Sequence, residues 1–476
     1  MSESIRIIVI GGTGKWCEEN YYPAILSVLR EGIDVKVVAI IDKINPNTPP
    51  KGEVRTNLNE VLKLFKPIYL NPPNYERELI FQMLNDLKAR TGANLVIVST
   101  NPSVHYLYCS WAVENHVNVF CDKPLIAEVN CSSNVSSAKK IRIEYEDLLI
   151  KYKKAVSSNP KYIFMTPLRR RALTPYLKTA QSLQEIYDKT KEGIRYMHVI
   201  LNGGIHKYPQ EIAKGGAHGY LEGIGTLSHT SYHFIDLIAW YISCAPGDIE
   251  FIKINMPYVL RISDYLAAKS YRTLRNLVEG NKKFNDKLFI PRSILAAEID
   301  FHFLLTFFDK KGRKVGCCNF IVDYSAYAPR MNLYDPQIIE YAHAKNGGRM
   351  SASYMDIHQG ALQNIQIIKN DVVSEGHNIK VLTRVHPLLG QKFSEENYHN
   401  AYDEHTVNTV QITSDALRKI VGRNQNLAIY TTSLDKQYLT FLLYSSFYEL
   451  IAEEYETKSC LNYKQIILSK IKRFID

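Results

Sequence analysis

Two stretches of this 476-residue sequence carry side chains that can transfer protons near neutral pH. Lys123 lies in the run Cys121-Asp122-Lys123-Pro124, and His229 and His233 follow further along the chain. A histidine titrates near neutrality, and the pKa of a lysine falls beside another positive charge. These residue types indicate acid–base chemistry, provided that the fold holds them against a reacting group.

The sequence before Lys123 alternates apolar strands with helical stretches. The predicted strands are Ile5–Ile10, Val35–Ile41, Asn94–Ser99 and Val117–Cys121, with helices predicted over Glu18–Arg30 and up to Asn115. Such alternation predicts a parallel sheet, whose ligands bind beyond the carboxyl ends of the strands. Thr100-Asn101-Pro102 and Asp122-Lys123-Pro124 each follow such an end.

A glycine turn, Gly12-Thr13-Gly14-Lys15, follows the first strand, and Asp42 ends the second. Glycines let the backbone approach a pyrophosphate at a helix N-terminus, and an acid at this distance accepts hydrogen bonds from a ribose. Aligning Gly12 and Gly14 with the first glycines of G-x-G-x-x-G puts Cys17 at the third. Residues 1–128 are therefore predicted to bind a dinucleotide. Lys43, beside Asp42, leaves NAD and NADP both open.

The segment Val96–Leu125 resembles the Gfo/Idh/MocA dehydrogenases, which include glucose–fructose oxidoreductase and inositol 2-dehydrogenase. Thr100-Asn101-Pro102 with His105 is similar to the family's T-P-x-x-x-H turn, and Asp122-Lys123-Pro124 to its E-K-P motif. Asp122 stands where the family has glutamate. The resemblance implies that Lys123 lies beside the nicotinamide and contacts the reacting carbinol. It also implies that the cofactor site includes Thr100, Asn101, Pro102, His105 and Asp122.

The segment Leu221–Leu237 resembles the family's glycine-rich entry into the helix that ends in H-x-x-D. By this resemblance His233 is the catalytic histidine, and Asp236, the helix acid after it, is a substrate residue. His229 stands where the family usually has aspartate, and we expect it to contact substrate and to belong to the catalytic residues. If the segment is helical there, His229 and His233 share one face. No further metal ligand stands out beside them, so no metal is predicted.

Arg170 is the candidate substrate-side arginine. It lies in the basic turn Arg169-Arg170-Arg171, after the predicted strand Tyr162–Met165 and near the place where the family often has such an arginine.

These assignments imply NAD(P)-dependent hydride transfer between the cofactor and a carbinol of a sugar, an inositol or a related polyol. We expect His233 to be the acid–base and Lys123 to orient and stabilise the oxygen, with the reverse assignment open. The implied fold is a Rossmann doubly wound parallel sheet over 1–128, followed by an α+β domain with a largely antiparallel sheet over 129–455 and a tail over 456–476. Insertions are expected at 255–295 and 372–430. In the family that sheet often mediates dimers or tetramers, so a homo-oligomer is expected.

Three alternatives remain at this point. A catalytically inactive nucleotide-binding regulator could have the same fold, and a metal-dependent hydrolase could use the histidines. The third alternative is a glucose-6-phosphate dehydrogenase, because Gly11–Trp16 with Tyr22-Pro23 resembles the N-terminal sequence of those enzymes. Arg261–Leu266 is similar to their R-I-D-H-Y-L signature but lacks its histidine.

Composition narrows the class of protein. The chain is 46% hydrophobic and 22% charged, as in ordinary globular proteins. Its formal net charge of +10 is spread along the sequence, so nucleic acid is not predicted as a partner. No apolar run is long enough for a transmembrane helix, and the start lacks the layout of a secretory signal. None of the eight cysteines forms a C-x-x-C pair, and a cytoplasmic location is expected.

Overall fold

The computed structural model describes residues 4–46, 55–73, 76–202, 220–229, 231–269, 273, 292–325, 352–370, 378–390, 392–399, 403–423, 432–459 and 462–470. The chain forms two compact units, each of them discontinuous in sequence. Unit 1 comprises residues 1–127, 143–177 and 402–438. Unit 2 comprises residues 128–142, 178–401 and 439–476.

Unit 1 is built on a seven-stranded sheet. Its strands are β1 Ile5–Ile10, β2 Val35–Ile41, β3 Ile68–Leu70, β4 Leu95–Val98, β5 Asn118–Cys121, β6 Phe164–Thr166 and β15 Thr432–Ser433. The strand order is β15-β6-β5-β4-β1-β2-β3, and every pair is parallel except β15 with β6. β1, β2, β4 and β5 are short apolar runs that are buried along most of their length, as expected for strands covered on both faces. The predicted doubly wound parallel sheet is confirmed.

Helices cover this sheet. They are α1 Tyr22–Arg30, α2 Thr56–Phe65, α3 Arg77–Thr91, α4 His105–Glu114 and α5 Val135–Ser158. Helix α6, Thr174–Thr190, follows β6 and belongs to unit 2 from residue 178 onward. A π-helical turn, Cys17–Tyr21, precedes α1 and buries Cys17 and Tyr21. Helix α10, Asp403–Ile420, also belongs to unit 1, and Ile412, Ala416 and Leu417 lie in the same core cluster as β1 and α1.

Unit 2 is built on a nine-stranded sheet of order β14-β13-β12-β11-β7-β10-β9-β8-β16. Its strands are β7 Tyr196–Asn202, β8 Phe251–Arg261, β9 Glu298–Phe308, β10 Lys314–Asp323, β11 Ala352–Gln359, β12 Gln363–Asn370, β13 Ile379–Val385, β14 Lys392–Tyr398 and β16 Tyr463–Ile467. Only β7 and β10 pair in parallel. Along β7, buried residues alternate with partly buried ones, which is typical of a sheet with one covered face. The predicted largely antiparallel sheet is confirmed.

The helices of unit 2 are α7 Tyr232–Cys244, α8 Ile262–Ala267, α9 Arg292–Leu295 and α11 Tyr438–Thr457. Phe447 of α11 stacks on Phe303 of β9, with ring centroids 4.0 Å apart, and also contacts Phe320 of β10. This contact identifies the covered face of the sheet. The opposite face, which carries His198, Asn319 and Asp356 on adjacent strands, is called the outward face below.

The expected division at residue 128 coincides with the point where the chain first leaves unit 1, but two later segments also belong to that unit. The segment expected to be a tail contains β16, which pairs with β8. Much of the insertion expected at 255–295 lies outside the described residues, whereas that at 372–430 contributes β13, β14 and α10. A search of the described helices finds none that meets the length and hydropathy required of a membrane span.

Candidate active site

The glycine turn brings the backbone of β1 against the end of β4. Gly11 has φ +75°, and a Cβ atom there would lie 2.1 Å from the carbonyl oxygen of Ser99. Gly12 is also confined, because the Tyr22 hydroxyl donates to its carbonyl oxygen at 2.6 Å. Only glycine satisfies both the left-handed backbone and the close approach at position 11. Cys17, at the expected third glycine position, is fully buried.

The structure brings Asp42 to this turn. Its Oδ2 accepts hydrogen bonds from the backbone N–H of Thr13 at 2.9 Å and from the Thr13 hydroxyl at 2.8 Å. Oδ1 accepts from the Ile44 N–H at 3.1 Å. Lys15 is exposed and pairs with Glu19, and Lys43 is exposed beside Asp42. The acid after β2 and the turn after β1 therefore form one structure, as a dinucleotide site requires.

His105 joins the two turns that follow β4 and β5. Its ring nitrogens lie 3.0 Å from the Thr100 carbonyl oxygen and 3.1 Å from the Pro124 carbonyl oxygen. Burial lowers the pKa of His105 to about 4, so the ring is neutral at pH 7 and has one N–H to donate. Asn101 caps the short turn Pro102–Val104 by accepting from the Ser103 N–H at 3.1 Å. His105 thus positions the Thr100 and Lys123 turns relative to each other.

Asp122 fixes the residue before Lys123. Its Oδ1 accepts from the Tyr21 hydroxyl and its Oδ2 from the Ser99 hydroxyl, each at 2.5 Å. Burial of the carboxyl group raises the pKa of Asp122 to about 6. Lys123 is partly buried, directly after β5 and next to the cis peptide bond to Pro124. Asp122 therefore helps to position Lys123.

The Asp122 carboxyl group makes the stability of the protein depend on pH. It binds a proton more tightly in the folded protein, with a pKa of about 6, than at its ordinary value of 3.8. Its contribution to the free energy of unfolding is therefore lost as the pH rises from about 4 to about 6, by on the order of 2–3 kcal/mol. Asp300, whose pKa burial also raises to about 6, adds a slope of the same sign, so the slope from urea unfolding is expected to be smaller by this amount in Asp122→Asn than in wild-type protein and in the control Asp34→Asn. An unchanged slope in Asp122→Asn contradicts the assignment.

The basic turn Arg169–Arg171 follows β6 at the same edge of the sheet, because β6 pairs in parallel with β5. Arg170 is buried; its Nη1 donates to the Tyr176 hydroxyl at 2.7 Å. Arg169 lies over the Trp16 ring, 4.8 Å from the ring centroid. Both arginines are thus held in unit 1, and Arg170 shares its edge of the sheet with Lys123.

Unit 2 presents the candidate histidines. His233 is buried in the first turn of α7, whereas His229 precedes the helix, at the end of the short turn Thr226–Ser228. His229 therefore does not lie on the same helical face as His233. The Tyr220 ring lies 6.0 Å from the His229 ring. Asp236 is buried and accepts from the Thr440 hydroxyl at 3.0 Å, so it fastens α7 to α11.

Glu298, which the sequence analysis did not single out, supports the segment before the histidines. Its Oε1 accepts from the Leu227 N–H at 3.0 Å and its Oε2 from the Ser132 hydroxyl at 2.5 Å. Burial raises the pKa of Glu298. A Cβ atom at Gly225 would lie 2.2 Å from the Glu298 carbonyl oxygen, so that position requires glycine. The only signal in the sequence was an acid at the start of an apolar strand.

Ser228, the residue before His229, is fixed by α11. Its hydroxyl lies 2.6 Å from each of the hydroxyls of Tyr444 and Tyr448. All three side chains are buried. The histidine segment therefore rests on a buried polar network, which restricts its motion.

The segment similar to glucose-6-phosphate dehydrogenases has a structural role. Arg261 is buried and donates to the carbonyl oxygens of Ser132 at 2.8 Å, Ala296 at 2.7 Å and Ile451 at 2.6 Å. Within the described ranges, no three His, Cys, Asp or Glu side chains cluster in an arrangement that could hold a metal ion.

Comparison with known families agrees with this geometry. Residues 5–141 match the model of the Gfo/Idh/MocA oxidoreductase family, described as having an NAD-binding Rossmann fold. The match covers the glycine turn, Asp42, the Thr100 turn and Lys123, so the resemblance of this region is confirmed, as is a nicotinamide cofactor for the family. The similarity of Leu221–Leu237 lies beyond the matched residues and stays a prediction. No curated protein sequence matches the chain.

Solved structures share the fold over nearly the whole chain. An oxidoreductase domain protein from Kribbella flavida is 13% identical with a TM-score of 0.55, covering 98% of this chain and 100% of its own. A levoglucosan dehydrogenase solved with NADH and levoglucosan is 11% identical, with a TM-score of 0.53 and the same coverage of 98% and 100%.

A third structure is an oxidoreductase from Agrobacterium radiobacter, solved with NAD+, L-tartaric acid and magnesium. It is 13% identical with a TM-score of 0.52, again covering 98% and 100%. At these identities the likeness establishes the fold alone. Residues 5–141 of this chain are thus similar to the Gfo/Idh/MocA oxidoreductase family and its NAD-binding Rossmann fold.

Proposed function

We propose that this protein is an NAD-dependent oxidoreductase that transfers a hydride between the cofactor and a carbinol of a sugar, an inositol or a related polyol. The proposal rests on the arrangement of residues at one edge of the seven-stranded sheet. There Asp42 accepts from Thr13 of the glycine turn, His105 lies between the Thr100 and Pro124 carbonyl oxygens, and Asp122, next to Lys123, accepts from Ser99. Such an edge is where parallel sheets bind dinucleotides.

The residues of unit 1 fit a nicotinamide dinucleotide. The exposed backbone at Gly14 and the turn Gly11–Gly14 leave room for a pyrophosphate, and Asp42 offers carboxylate oxygens for ribose hydroxyls. The cofactor, when bound, accepts a hydride from the substrate carbon or returns one to it. The Thr100 turn and Lys123 would then face the reacting end of the cofactor.

The chain's own residues supply orientation and proton transfer. Lys123, anchored between Asp122 and Pro124, is proposed to bind the substrate oxygen and stabilise charge that develops on it. His233, buried in α7, is proposed to accept or return the hydroxyl proton. His229 and Arg170 are proposed to contact the substrate. Asp236, bonded to Thr440, is proposed to hold α7 in register.

Asp42 favours NAD over NADP, because its carboxylate repels a 2′-phosphate. Replacing Asp42 with Ala is expected to weaken NADH binding about tenfold or more, by removing a charge-assisted hydrogen bond, and to narrow the preference for NADH over NADPH. Titration followed by nucleotide fluorescence measures both affinities. Asp34→Ala, at an exposed acid that pairs with Arg6, is the matched control. Equal NADH affinity in Asp42→Ala and Asp34→Ala contradicts this role.

We further propose a homo-oligomer that acts in the cytosol. Ile321, Ile200, Tyr354 and Ile368 form one row across four strands of the outward face, each partly buried. An apolar row on an open sheet face is a typical association surface. Light scattering is expected to give the mass of two or four chains, and Ile321→Lys to lower it. The mass of a single chain for wild-type protein contradicts the proposal.

The function is tested by turnover on a panel of sugars, inositols and sugar derivatives, followed by the absorbance of the reduced nicotinamide. The alternative of an inactive regulator predicts nucleotide binding without turnover. It remains worth testing because His229 replaces the family's aspartate, which changes the polarity at the substrate.

A further inference from the structure

The outward face of the nine-stranded sheet carries a cavity of about 260 Å³ at the turn that joins β11 to β12. Its lining includes the side chains of His358, Asn364, Arg384 and His386, together with the turn at residues 360–362. His358, Asn364 and Arg384 lie side by side on adjacent strands. The histidine segment of the proposed active site instead bonds to α11, which packs on the other face. The cavity therefore has no role in the proposed reaction.

Three side-chain oxygens beside this cavity already accept hydrogen bonds from neighbouring side chains. Asn364 Nδ2 donates to Asp356 Oδ1 at 2.7 Å. Arg384 Nη1 donates to Asn364 Oδ1 at 3.0 Å and to Gln366 Oε1 at 3.3 Å. Each of these oxygens therefore has fewer lone pairs left for a ligand that is rich in hydrogen-bond donors.

Both histidines keep a donor. His358 Nε2 lies 3.3 Å from Asn364 Nδ2 and 3.3 Å from Asp356 Oδ1. When Nε2 of the neutral ring accepts from Asn364, the proton is on Nδ1; in the charged ring Nδ1 is protonated as well. His386 Nδ1 accepts from the Leu388 N–H at 3.2 Å, so its proton is on Nε2. His386 therefore offers one N–H in either charge state, and His358 offers its Nδ1–H in the charged ring and in this neutral tautomer.

Arg384 supplies a charge that no carboxylate neutralises within the described part of the chain. Among the described residues, its hydrogen bonds go to two neutral amide oxygens through Nη1 alone, and its guanidinium also lies 5.7 Å from the Phe393 ring centroid. Nε and Nη2 are left to form the paired hydrogen bonds with which arginine binds oxyanions.

We propose that this cavity binds a phosphate group, as inorganic phosphate or as a small phosphomonoester. Arg384 binds two oxygens through its Nε and Nη2 hydrogens, and His358 and His386 each donate one N–H. The combination of unused donors, occupied acceptors and an unneutralised cation selects an oxyanion over a neutral sugar.

The test is calorimetric titration of the full chain with inorganic phosphate, at constant ionic strength balanced with chloride. Arg384→Gln is expected to weaken phosphate binding at least about tenfold, and Arg384→Lys to weaken it less because the charge remains but the planar fork is lost. The matched control is Arg313→Gln, at an exposed arginine in the β9–β10 turn that already pairs with Asp309. Arg313→Gln is expected to keep wild-type affinity.

A second readout identifies the residues. The NMR signals of two histidine rings should shift with the same saturation curve, and His358→Gln and His386→Gln should each remove one of them. Tighter binding of glycerol phosphate than of inorganic phosphate supports a phosphomonoester as the ligand, and equal binding supports the free ion. Phosphate bound at the glycine turn of unit 1 would be equally tight in all variants. Equal affinity in Arg384→Gln and Arg313→Gln, or no saturation at millimolar phosphate, overturns the proposal.

Discussion

Replacing Lys123 with Met is expected to lower kcat by about two orders of magnitude or more, while the nucleotide affinity stays within about threefold. Lys123 follows β5 directly, and the hydrogen bonds of Asp122 fix the backbone on one side of it at the strand end. Methionine preserves the length and apolar stem of the side chain but removes the charge and the donors. The substitution therefore weakens the stabilisation of the reacting oxygen, which lowers kcat, and leaves nucleotide binding nearly unchanged.

The measurement combines steady-state kinetics on an active substrate with an NADH titration of the same preparation. Lys63→Met, at an exposed lysine of α2, is the matched control and should leave both quantities unchanged. Wild-type kcat in Lys123→Met shows that the lysine is only a solvated strand-end residue. Loss of nucleotide affinity by a similar factor would instead make Lys123 a binding residue.

Replacing His233 with Asn is expected to lower kcat/KM by about 10²–10⁴-fold and to remove the limb of the pH–rate profile that reports the base. His233 is buried on α7, and that helix is fastened by the Asp236–Thr440 hydrogen bond. A helix held in this way restricts the imidazole to a narrow range of positions. The change of pH profile distinguishes loss of the base from a general disturbance of α7, which would lower the rate at every pH.

His198→Asn, on the outward face of the sheet, is the control for the His233 variant. It should keep both the rate and the pH profile of wild-type protein. If His233→Asn retains the limb while Lys123→Met loses it, then Lys123 is the base and the two assignments are reversed.

The Rossmann sheet was predictable because its signals are local. Runs such as Ile5–Ile10 and Val35–Ile41 are apolar on both faces, and a left-handed glycine at position 11 ends the first of them. The strand ends then place Asp42 and Lys123 at one edge by the rules of parallel sheets alone.

The local sequence pattern could not predict where segments from late in the chain pack. Helix α10 lies within an expected insertion, yet Ile412 and Leu417 pack in the core of unit 1 with Ile5 and Val28. An amphipathic helix shows that it has a buried face, but not which core that face meets. Likewise β16 is a short strand whose pairing with β8 depends on contacts far along the chain.

The hydrogen-bond partners of the candidate site residues could not be predicted from the sequence. His105 and Asp122 were expected to line the cofactor site, whereas the His105 ring lies between the Thr100 and Pro124 carbonyl oxygens and Asp122 accepts from Ser99 and Tyr21. We therefore propose that they act chiefly by positioning Lys123. Glu298 escaped notice because its partners Ser132 and Leu227 are remote in sequence.

The central claim is tested most directly by nicotinamide turnover on a matched panel of polyols and their carbonyl counterparts. Each pair is assayed in both directions with wild-type protein and with Lys123→Met at saturating nucleotide. We expect wild-type protein to convert at least one polyol–carbonyl pair, at a rate about 100-fold or more above that of Lys123→Met. Saturable nucleotide binding with no turnover of any pair above the Lys123→Met rate contradicts it and favours a nucleotide-binding regulator.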